Sequence, residues 1–217
     1  MSGAADTLRT ELDAMLSVQD RSGAITTALA AVNDGRIGVL DLYDLVLVPL
    51  LVGTGERWQT GAVRVWEEHF ASAVVRTIIE AVAPVVIQQG ALITPHDRTV
   101  LLACPPQEQH DLGLRMLADR FALAGWNAVF LGTDTPVDEI CAAATALGAE
   151  LVVLSASTHF NRVHLRHTVD RIKAGLTDVR VAVGGPAFAL DREWPADELF
   201  DPVDFGLAPF PAPGEDA

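Results

Sequence analysis

Cysteine is almost missing from this 217-residue chain: Cys104 and Cys141 are its only two, and neither stands in a CxxC pair. That rarity excludes a disulfide-built fold and points to a reducing, cytoplasmic compartment. The opening MSGAADTLRT also lacks the apolar centre of a secretory signal. Basic residues are short too, 15 Lys and Arg against 29 Asp and Glu, for a formal net charge of -14. A surface with that field repels phosphate backbones, so direct nucleic-acid binding is not expected. No apolar run reaches membrane length: the longest, residues 45–52, is interrupted by Pro49 and preceded by Asp41 and Asp44. It reads as a buried helix, with no membrane association. What the chain does have is apolar mass, half of its residues, enough for one large domain or two small ones.

The apolar pattern changes period along the chain. From about residue 21 to 86 it recurs at helical spacing, punctuated by Gly35, Gly38, Gly53, Gly55 and Gly61. A last helix is expected at 62–82, with Val65, Phe70, Val74, Ile78 and Val82 near one face. A weaker helix precedes Asp20. Beyond Pro95 short β-branched runs take over at 99–103, 127–131, 151–154 and 179–183, separated by helical stretches near 112–124, 136–147 and 162–176. Alternation of that kind is a parallel sheet with crossover helices. The expected fold is therefore α/β: an N-terminal helical bundle at 1–94, a doubly wound, Rossmann-like sheet domain at 95–210, and a mobile Pro- and acid-rich end at 211–217.

Ligands of doubly wound sheets bind at the carboxyl ends of the strands, and the first strand runs straight into Cys-Pro-Pro-Gln-Glu108-Gln-His110-Asp111-Leu-Gly113. A neutral imidazole on that loop is a good metal ligand, and a carboxylate two residues earlier can take its other ring proton. Gly113 would let backbone approach a bulky planar group from a crowded turn. Glu108-x-His110-x-x-Gly113 resembles the signature of the cobalamin-binding Rossmann-like domain. Ser155-Ala-Ser157 after the third strand and Gly184-Gly185 after the fourth follow in that family's order. The resemblance implies His110 as lower axial ligand to cobalt, Glu108 as its partner, Asp111 and Gly113 at the cofactor, and Ser155, Ser157, Gly184 and Gly185 along the slot for the nucleotide tail. Ser157 stands where the family often has leucine. His159, His164 and His167 read as a polar exposed helix face, and Asp134-Thr-Pro136 as a helix cap.

The helical half carries a second resemblance. Trp58, followed ten positions later by Glu68-His69, is similar to the cap of the cobalamin-dependent light sensors of the CarH type, within a likeness running through Ala71-Ser72 and Arg76. In that family the tryptophan packs on the adenosyl group of adenosylcobalamin and the Glu-His pair contacts it. Trp66 reads as core. Two departures stand out: Gln59 replaces the histidine that ligates cobalt after photolysis, and only some 20 residues precede the bundle where the repressors carry a winged-helix module. The resemblance implies a non-enzymatic adenosylcobalamin photosensor that signals by self-association or through a separate effector protein. Two alternatives accompany it, a corrinoid carrier of a methyltransferase system and a photocobilin-like receptor that also holds biliverdin or another bilin.

Overall fold

A computed structural model describes residues 2–188, 194–195 and 198–210; the expected mobile end at 211–217 lies outside the described residues. The chain divides into two compact units, one built on Met1–Gln88 and the other on Gln89–Pro209.

In the helical unit α1 (Ser2–Ser17) buries Ala5, Leu8, Leu12 and Leu16, a stripe at helical spacing. Asp20 then caps α2 (Arg21–Asn33), its carboxylate accepting the Gly23 N–H at 2.9 Å. The small residues Ala24, Ala28 and Ala31 on α2 are buried, and α1 packs against it. Helical backbone then continues from α3 (Val39–Asp41) through a π-helical turn (Leu42–Leu47) into α4 (Val48–Gln59). Pro49 explains the wider turn, because it offers no N–H to the carbonyl four residues back and its ring would strike that carbonyl. The Val48 N–H accordingly reaches Tyr43 O, five residues away, and Leu45 O is approached by Arg9 Nη1 at 3.5 Å. The helix expected at 45–52 is thus present, with a π turn where the proline interrupts it, but it is buried on one side only: Val46, Leu47 and Leu50 are buried, whereas Val48 and Val52 are exposed.

The long helix α5 (Val65–Gly90) starts three residues after the expected position and runs eight residues beyond Val82, through Pro84. Its buried residues, Ala71, Val74, Val75, Ile78, Ile79, Val82 and Val86, continue past the proline. Burial at about 1.5–3 kcal/mol per large aliphatic side chain offsets the roughly 3 kcal/mol a helix-interior proline costs. By length and composition α5 could cross a membrane, a feature missed in the sequence, where only 45–52 stood out. It also carries Arg76 and Glu80 within its span.

The second unit is a four-stranded parallel sheet in the order β2-β1-β3-β4: β1 (Thr99–Ala103), β2 (Asn127–Gly132), β3 (Leu151–Ser155) and β4 (Arg180–Gly184). The crossovers are α6 (Leu112–Leu123), α7 (Val137–Leu147) and α8 (Asn161–Gly175). Alternate strand residues face opposite layers. Val100, Leu102 and Val153 pack with Leu114, Leu117 and Phe121 of α6, while Leu101, Val152 and Val181 pack with Ile140 of α7 and Leu165, Val169 and Ile172 of α8. Helices on both faces make the sheet doubly wound, as expected. From β1 the chain turns to β2 on one side, and β3 lies on the other. The crevice where ligands bind such a sheet therefore opens between the carboxyl ends of β1 and β3.

Candidate functional site

Beyond β1 the chain is fastened before it reaches the histidine. Cys104 donates its N–H to Gly132 O at 2.9 Å and accepts Thr135 N–H at 3.0 Å, so the ends of β1 and β2 are tied together. Gln107 and Asp134 both adopt positive φ, +68° and +48°, conformations that cost non-glycine residues free energy. They hold each other there: Gln107 N–H donates to Asp134 Oδ1 at 2.7 Å, and Asp134 N–H donates to Glu108 O at 3.0 Å. Asp134 was expected to cap α7. Instead Pro136 occupies the cap position and the Asp134 carboxylate serves the histidine loop.

Glu108 is completely buried. Its Oε1 accepts from the His110 N–H at 2.9 Å and from His110 Nδ1 at 2.7 Å; its Oε2 accepts from the Ser157 N–H at 2.7 Å and from Asn161 Nδ2 at 2.6 Å. Burial by itself pushes a carboxyl group up, but these hydrogen bonds to the anion, led by the one from the His110 side chain, outweigh it and hold Glu108 at about 2. Since the carboxylate is ionised, Nδ1 of a neutral His110 must carry the proton, and Nε2 is the lone-pair nitrogen. The ring itself is 69% exposed above this buried anchor. Beneath the loop the Cys104 thiol is pushed up to about 12 by burial, with the charges of Glu108 and Asp111 adding to it. It stays protonated, its Sγ 3.7 Å from His110 O, and is a backbone prop rather than a thiolate ligand.

Of the other residues singled out in the sequence, Ser157 joins the site through its backbone N–H to Glu108. Gly185 is required by its surroundings. Its φ is +105°, and a Cβ there would lie 2.5 Å from both Ala156 O and Ser155 Oγ. Ser155 and Gly185 are therefore in direct apposition at the ends of β3 and β4. Gly184 would place a Cβ 3.6 Å from Phe200 Cβ, an ordinary contact. Asp111 is buried just before α6. Gly113 corrects an expectation: it lies in the first turn of α6, and a Cβ added there meets nothing within 4 Å. The chain's own packing does not crowd it. His159 and His167 are exposed and His164 is partly so, in keeping with a polar helix face.

Asn161 was not identified in the sequence. Its partner is 53 positions away, and only the folded β1–β3 crevice brings them together; the one local sign is Thr158, whose hydroxyl accepts the Asn161 N–H at 3.2 Å.

On the helical unit, Trp58 sits in the last turn of α4 and is 48% exposed. Its neighbour Arg57 is clamped to Asp13 of α1 by Nη2 at 2.7 Å and Nη1 at 3.3 Å, which fixes that end of α4. A five-residue turn leads to α5, where Glu68 Oε2 meets His69 Nδ1 at 2.6 Å and Glu68 Oε1 accepts from Ser72 Oγ at 2.7 Å. Trp66, expected in the core, is 51% exposed; the buried stripe of α5 begins at Ala71, one turn later.

These residues suit a metal that is already held by a macrocycle. Among the described residues no group of three or more His, Cys, Asp or Glu could cage an ion, so His110 would be a single protein ligand, with its outer partner in place. A single imidazole backed by a carboxylate could complete the coordination of such a metal.

Comparison with known proteins agrees. Two family models described as B12 binding domain match, one over residues 98–208 and one over residues 14–83. The HTH-type transcriptional repressor CarH of Myxococcus xanthus is 34% identical over 149 residues, 68% of this chain and 48% of the repressor, so the chain spans about half of that relative's length. A corrinoid protein of Desulfitobacterium hafniense (strain Y51) is 24% identical over 151 residues, 67% of this chain and 70% of that protein. The monomethylamine corrinoid protein of Methanosarcina barkeri shares the fold, with a TM-score of 0.74 at 17% identity over 87% of this chain and 89% of the other. With the histidine loop, the doubly wound sheet and the N-terminal helices all accounted for, the chain belongs to the B12-binding domain family.

Proposed function

We propose that this protein is an adenosylcobalamin-dependent light sensor in which the helical unit reports the state of the upper cobalt ligand through self-association or a partner protein. The observation that carries the reading is the half-exposed Trp58 together with the Glu68–His69 pair, in a chain 34% identical to a CarH repressor over 149 residues. When bound, adenosylcobalamin supplies a cobalt–carbon bond that green light can break. His110, held by Glu108, would be the residue that holds the cobalt, and Ser155, Ser157, Gly184 and Gly185 would line the slot for the nucleotide tail. Trp58 offers a flat apolar face that excludes water from an adenosyl group, and Glu68 and His69 offer hydrogen bonds to its polar edge. Gln59 offers no imidazole, so an upper ligand in the light state must come from elsewhere.

Protein reconstituted with adenosylcobalamin in darkness should change both its absorption spectrum and its sedimentation or elution after green light. Tight binding without a change in assembly, and with methylcobalamin preferred, would instead identify a methyl carrier of a corrinoid methyltransferase system. That second reading draws on the corrinoid-protein relative and on the shared fold. The light-sensor reading makes the chain a non-enzyme, whereas the methyl carrier would make it a subunit of an enzyme system.

A further inference from the structure

We propose that Glu198 is a positioning residue: it fixes the backbone on both sides of Gly184 and Gly185 and so holds the slot for the cofactor's nucleotide tail to its width. The inference rests on the reading of that glycine pair as part of the slot and extends it to a buried carboxylate beyond β4. Glu198 is 5% exposed. Its Oε1 accepts from Lys173 Nζ at 2.6 Å, and its Oε2 accepts from Trp194 Nε1 at 2.6 Å and from Arg166 Nη1 at 3.5 Å. Lys173 and Arg166 both belong to α8, so two cations tie the carboxylate to that helix. Donors of this kind are what a carboxylate needs when it gives up its water.

Two paths lead from Glu198 to the glycine pair. The first is backbone. Val183, the residue before Gly184, donates its N–H to Glu198 O at 2.7 Å and accepts the Phe200 N–H at 2.8 Å, so Leu199 pairs in parallel with the edge strand β4. That pairing stands Phe200 beside Gly184, its Cβ 3.6 Å from where a Gly184 Cβ would be. The second path is aromatic. Trp194, whose ring nitrogen Glu198 holds, meets Phe188 edge-on at 5.4 Å between centroids, and the Arg166 guanidinium lies 3.6 Å over the same indole. Phe188 in turn donates its N–H to Gly185 O at 3.1 Å. Gly184 and Gly185 are therefore bracketed, by Val183 and Phe200 on one side and by Phe188 on the other, and one carboxylate anchors both brackets to α8. The glycines have no side chains with which to fix the gap themselves, so its width is set from outside. Without the carboxylate, the indole N–H and the Lys173 ammonium lose their acceptor and both brackets can shift.

The test compares, on the full chain, cobalamin with cobinamide, which keeps the corrin ring and lacks the nucleotide tail. Wild type should bind cobalamin more tightly. Glu198→Gln removes the charge at nearly the same size. It should speed hydrogen exchange at the Val183 and Phe200 amides, weaken cobalamin binding by about 10-fold, the size of one lost hydrogen bond, and leave cobinamide binding at the wild-type level. Arg98→Met, which breaks the Arg98–Glu150 pair at the opposite end of the sheet, is the control for lowered stability alone and should bind both corrinoids as wild type does. If Glu198→Gln does not fold, Trp194→Phe keeps a ring against Phe188 and removes only the indole donor, and it should show the same split at smaller size. Unchanged binding of both corrinoids by a folded variant, or an equal loss for both, would overturn the role of Glu198. If wild type binds cobinamide as tightly as cobalamin, the tail-slot reading falls and takes this inference with it.

Discussion

Among the described residues, two glutamate–histidine pairs have nearly the same contact and opposite surroundings. Glu108 meets His110 Nδ1 at 2.7 Å and Glu68 meets His69 Nδ1 at 2.6 Å. Glu108 is 0% exposed, on a loop between strand and helix, with two backbone N–H groups among its donors. The side chain of Glu68 is 25% exposed on a helix surface, and its other oxygen takes a serine hydroxyl one turn away. The first pair is therefore part of the fold, and removing its carboxylate disturbs β1, β3 and α8 together. The second pairs neighbouring side chains of one helix, with Ser72 of the same helix on the other carboxylate oxygen. A permanent axial ligand needs the first kind of support; contacts to a group that leaves can use the second.

The largest effect expected from this contrast is on stability. Glu108→Gln should cost on the order of 3 kcal/mol at neutral pH, from the lowered carboxyl group and its buried donors. Glu68→Gln should cost less, on the order of 1 kcal/mol, because its histidine partner is largely exposed and Gln keeps an acceptor for the Ser72 hydroxyl. The sign with pH follows from the direction of the shift. Glu108 is lowered from 4.5 to about 2, so its stabilisation is complete above pH 4.5 and fades as pH falls toward 2. Urea unfolding of wild type and Glu108→Gln should differ fully at pH 7 and converge in that acid window. Equal costs for the two variants would erase the distinction between the pairs.

A pair of glycines sharpens the same distinction within the sheet unit. At Gly185 a methyl group must enter space held by Ala156 O and Ser155 Oγ at a φ of +105°, so Gly185→Ala should destabilise by about 1–3 kcal/mol or more. At Gly113 the space is open and the backbone helical, so Gly113→Ala should leave the cofactor-free protein unchanged or up to about 1 kcal/mol more stable. If cobalamin is what crowds Gly113, the same substitution weakens cobalamin binding. Thermal melts without cofactor and titrations with it separate the two outcomes; Gly113→Ala binding as well as wild type would remove Gly113 from the site.

Much of this was readable before folding. The strands expected at 99–103, 127–131, 151–154 and 179–183 lie within a residue of those observed, because β-branched runs between helical stretches have few other uses. The Glu108-x-His110 spacing was equally legible, since both residues lie on one loop. What escaped depends on contacts that spacing does not encode. Asn161 acts across 53 positions, and Asp134 looked like a local helix cap but serves a neighbouring loop. The π turn at Leu42–Leu47 and the passage of α5 through Pro84 share a cause. Proline's local penalty is visible in the sequence, whereas the burial that outweighs it is not.

Trp66 was misread for a related reason, since helical spacing marks a stripe without saying where the stripe starts. The smallest expected effect turns that error into a control. Trp58 and Trp66 are 48% and 51% exposed, so truncating either to alanine removes similar apolar contact and should cost the cofactor-free protein comparable, modest stability. Under the proposed function only Trp58 covers the adenosyl group. In darkness, Trp58→Ala loaded with adenosylcobalamin should lose its adenosyl group faster than wild type, while Trp66→Ala keeps the wild-type rate. Absorption followed in the dark reads both. If the two variants behave alike, the exposed tryptophans are a general apolar surface of the helical unit, and the water-excluding role belongs to neither one specifically.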